Sequence, residues 1–268
     1  MIIFPSCKIN LGLNVLEKRS DGFHNLETVM VEVPWKDEIS ISLTDSDSFH
    51  SSGLEIPGAG NLILEALKLA RTHANIPPLK ITLEKNIPIG AGLGGGSADA
   101  AFVYKHLARD YFSGRSTADL ENDISALGSD CAFFIQGGIQ KCTGKGDILE
   151  PIQLNLKGFH LVIINPGIHI STAEAFSKII PNSDRESVSK VLQLPIKEWK
   201  THLTNDFEKS LFPIYPELEQ IKASLYDQGA VYASMTGSGS TIFGIFTDLH
   251  DAATTKIDSA KFMKLISL

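Results

Sequence analysis

Between Pro88 and Ala100 the chain reads PIGAGLGGGSADA, with five glycines and three alanines. Glycine loses more backbone freedom on folding than any other residue, about 0.5–1 kcal/mol relative to alanine in regular structure, so the cluster must have a compensating use. An ordinary tight turn is one such use, although it needs only one or two glycines. A dinucleotide fingerprint is another, because Gly90, Gly92 and Gly95 satisfy G-x-G-x-x-G. That fingerprint requires a strand feeding the loop directly, then a second strand carrying an acidic residue about 20 positions on. Here Asn86, Ile87 and Pro88 intervene, and the stretch from Ala98 to Leu127 reads as helical. The third use is a phosphate cradle: backbone N–H groups from Gly90 to Ser97 converge on an anion, and a helix beginning near Ser97 aims its positive end at it. No G-x-x-x-x-G-K-[ST] sequence occurs, so such a cradle is not the Walker loop.

Alternating segments must hold this loop. Ile9, Leu11, Leu13 and Val15, then Ile39, Ile41 and Leu43, then Leu79, Ile81 and Leu83 alternate with polar or small residues, which predicts half-buried strands. Asn61 to Ala74 opens on an N-cap residue and repeats apolar side chains at helical spacing. Ala98 to Phe112 and Ser116 to Leu127 predict two more helices, the latter closing on Gly128. Gly137 to Ile152 predicts a hairpin turning on Gly144-Lys145-Gly146-Asp147. From Phe159 the pattern restarts with the strand FHLVIINPG and a capping box, Ser171-Thr172-Ala173-Glu174. The polar stretch SDRESVSKVLQLPIKEWK reads as helical, Tyr215 to Gln228 as a helix with Gly229 behind it, and Val231 to Phe246 as strand, glycine-serine turn and strand. The change of pattern divides the chain into domains at 1–152 and 153–268.

Composition narrows the function classes. The 268 residues are 43% hydrophobic, enough for a sizeable core. No apolar run approaches the ~20 residues of a membrane span, and the opening MIIFPSCKINLG lacks the basic and apolar regions of a secretory signal, so a cytoplasmic protein with no membrane partner is expected. Cys7, Cys131 and Cys142 form no CxxC pair and are expected as thiols in a reducing compartment. A formal net charge of −7 with no basic run disfavours a nucleic-acid partner.

The glycine stretch resembles the nucleotide loop of the GHMP kinase superfamily, P-x-x-x-G-L-G-S/G-S-A. SCKINLGLNVLEKRSDGFHNLET (Ser6 to Thr28), LGSDCAFFIQGG (Leu127 to Gly138) and TGSGSTIFG (Thr236 to Gly244) resemble segments of the branch of that superfamily that phosphorylates CDP-methylerythritol. NPGIHISTAEAF and TNDFE extend the resemblance almost end to end. It implies an α+β fold of two GHMP kinase domains with the active site in the cleft between them, ATP and Mg2+ as cofactors, and CDP-methylerythritol as the small-molecule substrate of the non-mevalonate isoprenoid pathway.

Residue roles follow from the same resemblance. Pro88, Ile89, Gly90, Ala91, Gly92, Leu93, Gly94, Gly95, Gly96, Ser97 and Ala98 would bind ATP. Asp130 would accept the proton of the attacking hydroxyl, with Lys8 as its cationic partner. Without the motifs around them, Asp130 reads as a turn aspartate and Lys8 as a solvated edge lysine. His24 would bond the cytosine, Phe23 and Phe176 would sandwich it, and Asn10 would lie near the substrate. Thr236, Gly237, Ser238 and Gly239 would close on the phosphates. No protein cage for a metal is evident, which suits a magnesium held by phosphates and water. Two positions depart from the family pattern. Phe23 replaces the usual tyrosine, keeping the stacking face and losing the hydroxyl. Ala132 replaces a proline that would fix φ near −65° beside Asp130. Competing readings are a homoserine or mevalonate-type kinase, which has no use for DGFH, a dinucleotide oxidoreductase, and a nucleotide-binding regulator without turnover.

Overall fold

The computed structural model describes residues 1–56 and 60–268. They form two compact units, each discontinuous along the chain: Met1–Lys8, Pro34–Ile89 and Gly94–Gly138 in one, and Ile9–Val33, Gly90–Leu93 and Ile139–Leu268 in the other.

In the first unit a four-stranded sheet has the order Ile2–Ile3, Glu38–Leu43, Leu79–Lys85, Ser48–Gly53. Glu38–Leu43 and Leu79–Lys85 pair antiparallel with Ile39 opposite Leu83 and Ile41 opposite Ile81, so the apolar set of each strand shares one buried face. Ser48–Gly53 joins the other edge of Leu79–Lys85 in parallel. Helix Leu62–His73 starts on Asn61, whose side chain accepts from the Ile63 N–H at 2.8 Å, and it packs against helix Gly95–Tyr111. A complete capping box, Ser116 with Asp119, opens helix Thr117–Ile124.

The second unit is built on the antiparallel sheet Tyr232–Met235, Ile242–Phe246, His160–Asn165, Phe262–Ser267. Its inner strands are apolar without alternation because both faces are covered. Val162, Ile164, Met235, Ile242 and Phe246 meet Leu218, Ile221 and Leu225, which lie at helical spacing on Pro216–Asp227, in one core cluster. Each such fully buried side chain contributes about 1.5–3 kcal/mol relative to exposure. A further sheet, ordered Ser6–Lys18, His24–Lys36, Ile139–Thr143, Ile148–Pro151, contains the expected hairpin.

The elements differ from the sequence reading where tertiary contacts intervene. Strand Ser6–Lys18 is buried on both faces from Ser6 to Val15, not half-buried, because Lys8, Asn10 and Asn14 occupy the polar face without reaching water. The box at Ser171 is half formed: its hydroxyl accepts from the Glu174 N–H at 3.1 Å, while the Glu174 carboxylate accepts from the Tyr215 hydroxyl at 2.6 Å. The polar helical stretch is two helices, Val188–Val191 and Ile196–His202, interrupted before Ile196 by Pro195. Among the described residues no helix is long and apolar enough to cross a membrane. Cys7, Cys131 and Cys142 are buried, none of them in a disulfide.

Candidate active site

The glycine stretch leaves strand Leu79–Lys85 through Asn86, the buried Ile87 and the buried Pro88. Gly92 and Gly94 have φ of +82° and +69°, a region that side chains with a Cβ rarely enter. Gly94 caps a helix that begins at Gly95, three residues before the Ala98 start read from sequence. The first intrahelical bond there is Ala98 N–H to Gly94 C=O at 2.9 Å, and the cap has no side-chain hydrogen bond. The N–H groups of Gly95, Gly96 and Ser97 thus precede the helical ladder, at the end of the helix where the dipole is positive. Gly96 is exposed, and a Cβ on it would meet only Leu62 Cδ1 at 3.9 Å. At Gly96 this helix end therefore presents backbone to solvent with no side chain over it.

Lys8 lies beside the helical end of that stretch. A Cβ on Gly94 would come within 3.2 Å of Lys8 Cε and Cγ, so the missing side chain is the space the lysine stem uses. Lys8 is not the solvated edge lysine its strand position suggests: its side chain is 3% exposed and its Nζ stands 3.4 Å from Asp130 Oδ2, while Asp130 is 27% exposed. A buried cation thus stands against a carboxylate that still reaches solvent and is accessible to a ligand. Asp130 is followed by Cys131, Ala132, Phe133 and Phe134, all at most 1% exposed. Ala132 has φ −58° and ψ −40°, and that φ lies in the range a proline would impose. Burial and the bonds Cys131 N–H to Gly128 C=O at 3.0 Å and Phe134 N–H to Cys131 C=O at 3.2 Å hold the segment in its place. Burial pushes the Cys131 thiol up to about 11, against the lowering effect of a hydrogen bond with Ser97, so it stays protonated next to Asp130.

In the second unit the Thr236–Gly239 turn packs directly on Ala91 and Gly92. A Cβ on Gly239 would lie 2.3 Å from Ala91 C and 2.4 Å from Gly92 N. Thr236 Oγ1 accepts from the Asn10 N–H at 3.0 Å and lies 3.2 Å from Asn10 Oδ1, while Asn10 Nδ2 donates to Thr28 Oγ1 at 3.1 Å. Asn10 and the turn are therefore one hydrogen-bonded assembly. Two asparagines without an assigned role complete it. Asn205 Nδ2 donates to Met235 C=O and Gly237 C=O, both at 2.9 Å, and Asn165 Nδ2 donates to Ser240 Oγ at 3.2 Å and Thr241 Oγ1 at 2.9 Å. TNDFE and NPG carried the signal, since one amide can bind two acceptors at once.

His24 and Phe176 stack at 4.7 Å between ring centroids with an interplanar angle of 19°, and the edge of Phe207 meets Phe176 at 4.8 Å. Phe23 is 55% exposed, with Lys145 Nζ 5.1 Å from its ring centroid. Burial, then the charge of Lys18, lowers the His24 imidazole below its ordinary value, so it is neutral at neutral pH. Of the residues that the resemblance assigns to the cytosine, with His24 bonding it and Phe23 and Phe176 sandwiching it, His24 stacks on Phe176 and the Phe23 ring has Lys145 beside it. Among the described residues no group of three or more His, Cys, Asp or Glu side chains could hold a metal.

These features are those of a phosphotransferase of the GHMP class, and comparison with known proteins agrees: the GHMP kinases N terminal domain matches residues 61–138 and the GHMP kinases C terminal domain residues 187–256. A 4-diphosphocytidyl-2-C-methyl-D-erythritol kinase of Bacteroides fragilis is 47% identical over 264 residues, 96% of each chain, and that of Cytophaga hutchinsonii is 48% identical over 250 residues, 92% of each. Among solved structures, a 4-(cytidine 5'-diphospho)-2C-methyl-D-erythritol kinase superposes with TM-score 0.84 at 28% identity, covering 100% of this chain and 99% of that one. The mevalonate kinase of Methanococcus jannaschii shares the fold, with TM-score 0.74 at 17% identity over 99% and 96% of the chains. The chain belongs to the 4-diphosphocytidyl-2-C-methyl-D-erythritol kinase family of the GHMP kinases.

Proposed function

We propose that this chain transfers the γ-phosphoryl group of ATP to the 2-hydroxyl of 4-diphosphocytidyl-2-C-methyl-D-erythritol, a step of the non-mevalonate route to isoprenoid precursors. The buried Lys8 ammonium 3.4 Å from a solvent-reaching Asp130 carboxylate, beside a cradle of glycine N–H groups, is the observation that carries the reading. Phosphoryl transfer asks a protein mainly for positioning and charge stabilisation. Asp130 takes the hydroxyl proton as the substrate oxygen bonds to the γ-phosphorus, the bond from that phosphorus to the bridging oxygen breaks, and ADP leaves. Lys8 offsets negative charge on the group in flight. The N–H groups of Gly95, Gly96 and Ser97 bind phosphate oxygens, and Thr236–Gly239 holds Ala91 and Gly92 in the conformation that this requires. His24, with Phe176 behind it, reads the cytosine edge, and Phe23 adds an apolar face. Asn10 contributes through Thr236.

Magnesium fits as an ion carried by the triphosphate. Among the described residues no group of three or more His, Cys, Asp or Glu side chains could cage it, so phosphate oxygens and water would hold it, and it would supply neutralising charge to the triphosphate. The functional halves are 1–152, with the loop, Lys8 and Asp130, and 153–268, with Phe176 and the third glycine motif. Buried cysteines outside disulfides support a cytoplasmic setting, and the acidic charge supports a small molecule over nucleic acid as partner. Phosphorus NMR tests the reading: a new phosphomonoester resonance on the methylerythritol, growing as ATP becomes ADP, supports it, and an unchanged substrate refutes it.

A further inference from the structure

Beneath the glycine stretch, within the first unit, lies a buried ionic cluster that no step above uses. Lys85 closes strand Leu79–Lys85, Asp37 lies just before strand Glu38–Leu43, and Asp99 is in helix Gly95–Tyr111. Their side chains are 2%, 0% and 4% exposed. Lys85 Nζ donates to Asp99 Oδ2 at 2.7 Å and also to Asp37 Oδ2. The other oxygen of Asp37 accepts the backbone N–H groups of Asn86 at 2.6 Å and Ile87 at 2.9 Å. Asp99 Oδ1 is buried with no hydrogen-bond partner.

Taking three ionisable groups out of water is expensive, and apolar residues of similar volume would stabilise a fold at least as well. The cluster's placement suggests what it achieves. It joins the backbone entering the glycine stretch, at Asn86 and Ile87, to the second turn of the helix leaving it, at Asp99. It also sets the height of the helix end, since a Cβ on Gly95 would be 3.1 Å from Lys85 Nζ and 2.9 Å from Ile87 Cγ2. Ion pairs and charge-assisted bonds fix direction as well as distance, which apolar contacts do not.

We propose that Asp37, Lys85 and Asp99 are positioning residues for ATP, holding Gly95, Gly96 and Ser97 in the orientation in which their N–H groups meet phosphate. The proposal rests on the reading of the glycine stretch as the nucleotide loop. Burial raises the Asp99 carboxyl, Lys85 opposes the shift and Asp37 adds to it. A proton shared by the cluster would leave no net negative charge under a site for an anion.

Asp99→Ala is the decisive variant, because it removes the helix-side contact and leaves the Lys85–Asp37 pair balanced. The dissociation constants of a non-hydrolysable ATP analogue and of the cytidyl substrate are measured with the melting temperature. A positioning role gives at least a tenfold weaker analogue with cytidyl binding within twofold, in protein that is folded but melts lower, because Lys85 loses a buried acceptor. Asp99→Asn, whose amide oxygen still accepts from Lys85, restores analogue binding to within threefold of wild type. Lys85→Met weakens the analogue too, and if it fails to fold, Asp99→Ala decides. Analogue binding within twofold of wild type in folded Asp99→Ala overturns the proposal. Gly96→Leu separates the two levels: if it weakens the analogue while Asp99→Ala does not, the positioning role alone falls. If Gly96→Leu binds the analogue normally, the nucleotide-loop reading fails, and the proposal with it.

Discussion

The α-carbon of Gly92 is packed against the carbonyl oxygen of Thr236, so close that a Cβ at Gly92 would lie 2.1 Å from that oxygen. Nothing larger than hydrogen fits, and the φ of +82° adds strain of its own for an L side chain. Gly92→Ala is expected to destabilise the protein by about 2 kcal/mol or more, a thermal melt lower by several degrees. An unchanged melting temperature would show that the two turns are not locked together as described.

Gly96 makes the opposite case. Its Cβ site is open, it lies in the first turn of a helix, and replacing a helical glycine removes a penalty of about 0.5–1 kcal/mol. Gly96→Leu should melt no lower than wild type, yet its KM for ATP should rise at least tenfold, because the leucine occupies space reserved for phosphate. Steady-state kinetics with ATP varied measures this, and an unaltered KM would place the anion elsewhere.

The Lys8–Asp130 pair should act at the chemical step. Asp130→Asn keeps the shape and loses the base, so kcat should fall by about 100-fold or more while the ATP analogue binds within a few-fold of wild type. Single-turnover assays with equilibrium binding separate the two quantities. A weakened analogue with near-normal kcat would make Asp130 a binding group instead.

His24 gives a pH dependence with a definite sign. Burial and Lys18 hold its imidazole below the ordinary 6.5. The neutral ring can accept a hydrogen bond from the cytosine amino group, and the imidazolium cannot. KM for the cytidyl substrate should be flat above about pH 7 and rise as pH falls through the lowered His24 value, a rise lost in His24→Gln. The same depression makes the unfolded chain take the proton first, so stability is present above about pH 6.5 and declines as pH falls. A KM for the cytidyl substrate independent of pH down to pH 5 would remove His24 from base recognition.

Local signals made part of this legible in advance. Alternation located strands at Ile39–Leu43 and Leu79–Leu83, because it depends on neighbours in sequence. The helix start was read three residues late, since Gly95, Gly96 and Ser97 are poor helix formers, and the close packing of Gly95 on Lys85 and Ile87 is made only by the fold. Burial of Lys8 and Asn10 was not legible, because alternation assigns the polar face of a strand to solvent and cannot show what lies across it. The cluster of Asp37, Lys85 and Asp99 joins residues 48 and 14 positions apart, a pairing only the fold creates. Ala132 shows the reverse: the residue type departs from the family pattern, while the backbone keeps the φ that proline would fix.

The most direct test of the central claim is ADP release from magnesium-ATP with 4-diphosphocytidyl-2-C-methyl-D-erythritol, run beside homoserine, mevalonate and uncytidylated methylerythritol phosphate. The account predicts stoichiometric ADP with the cytidyl compound and background with the other three. Turnover of a control in its place, or silence with all four in folded protein, would contradict it.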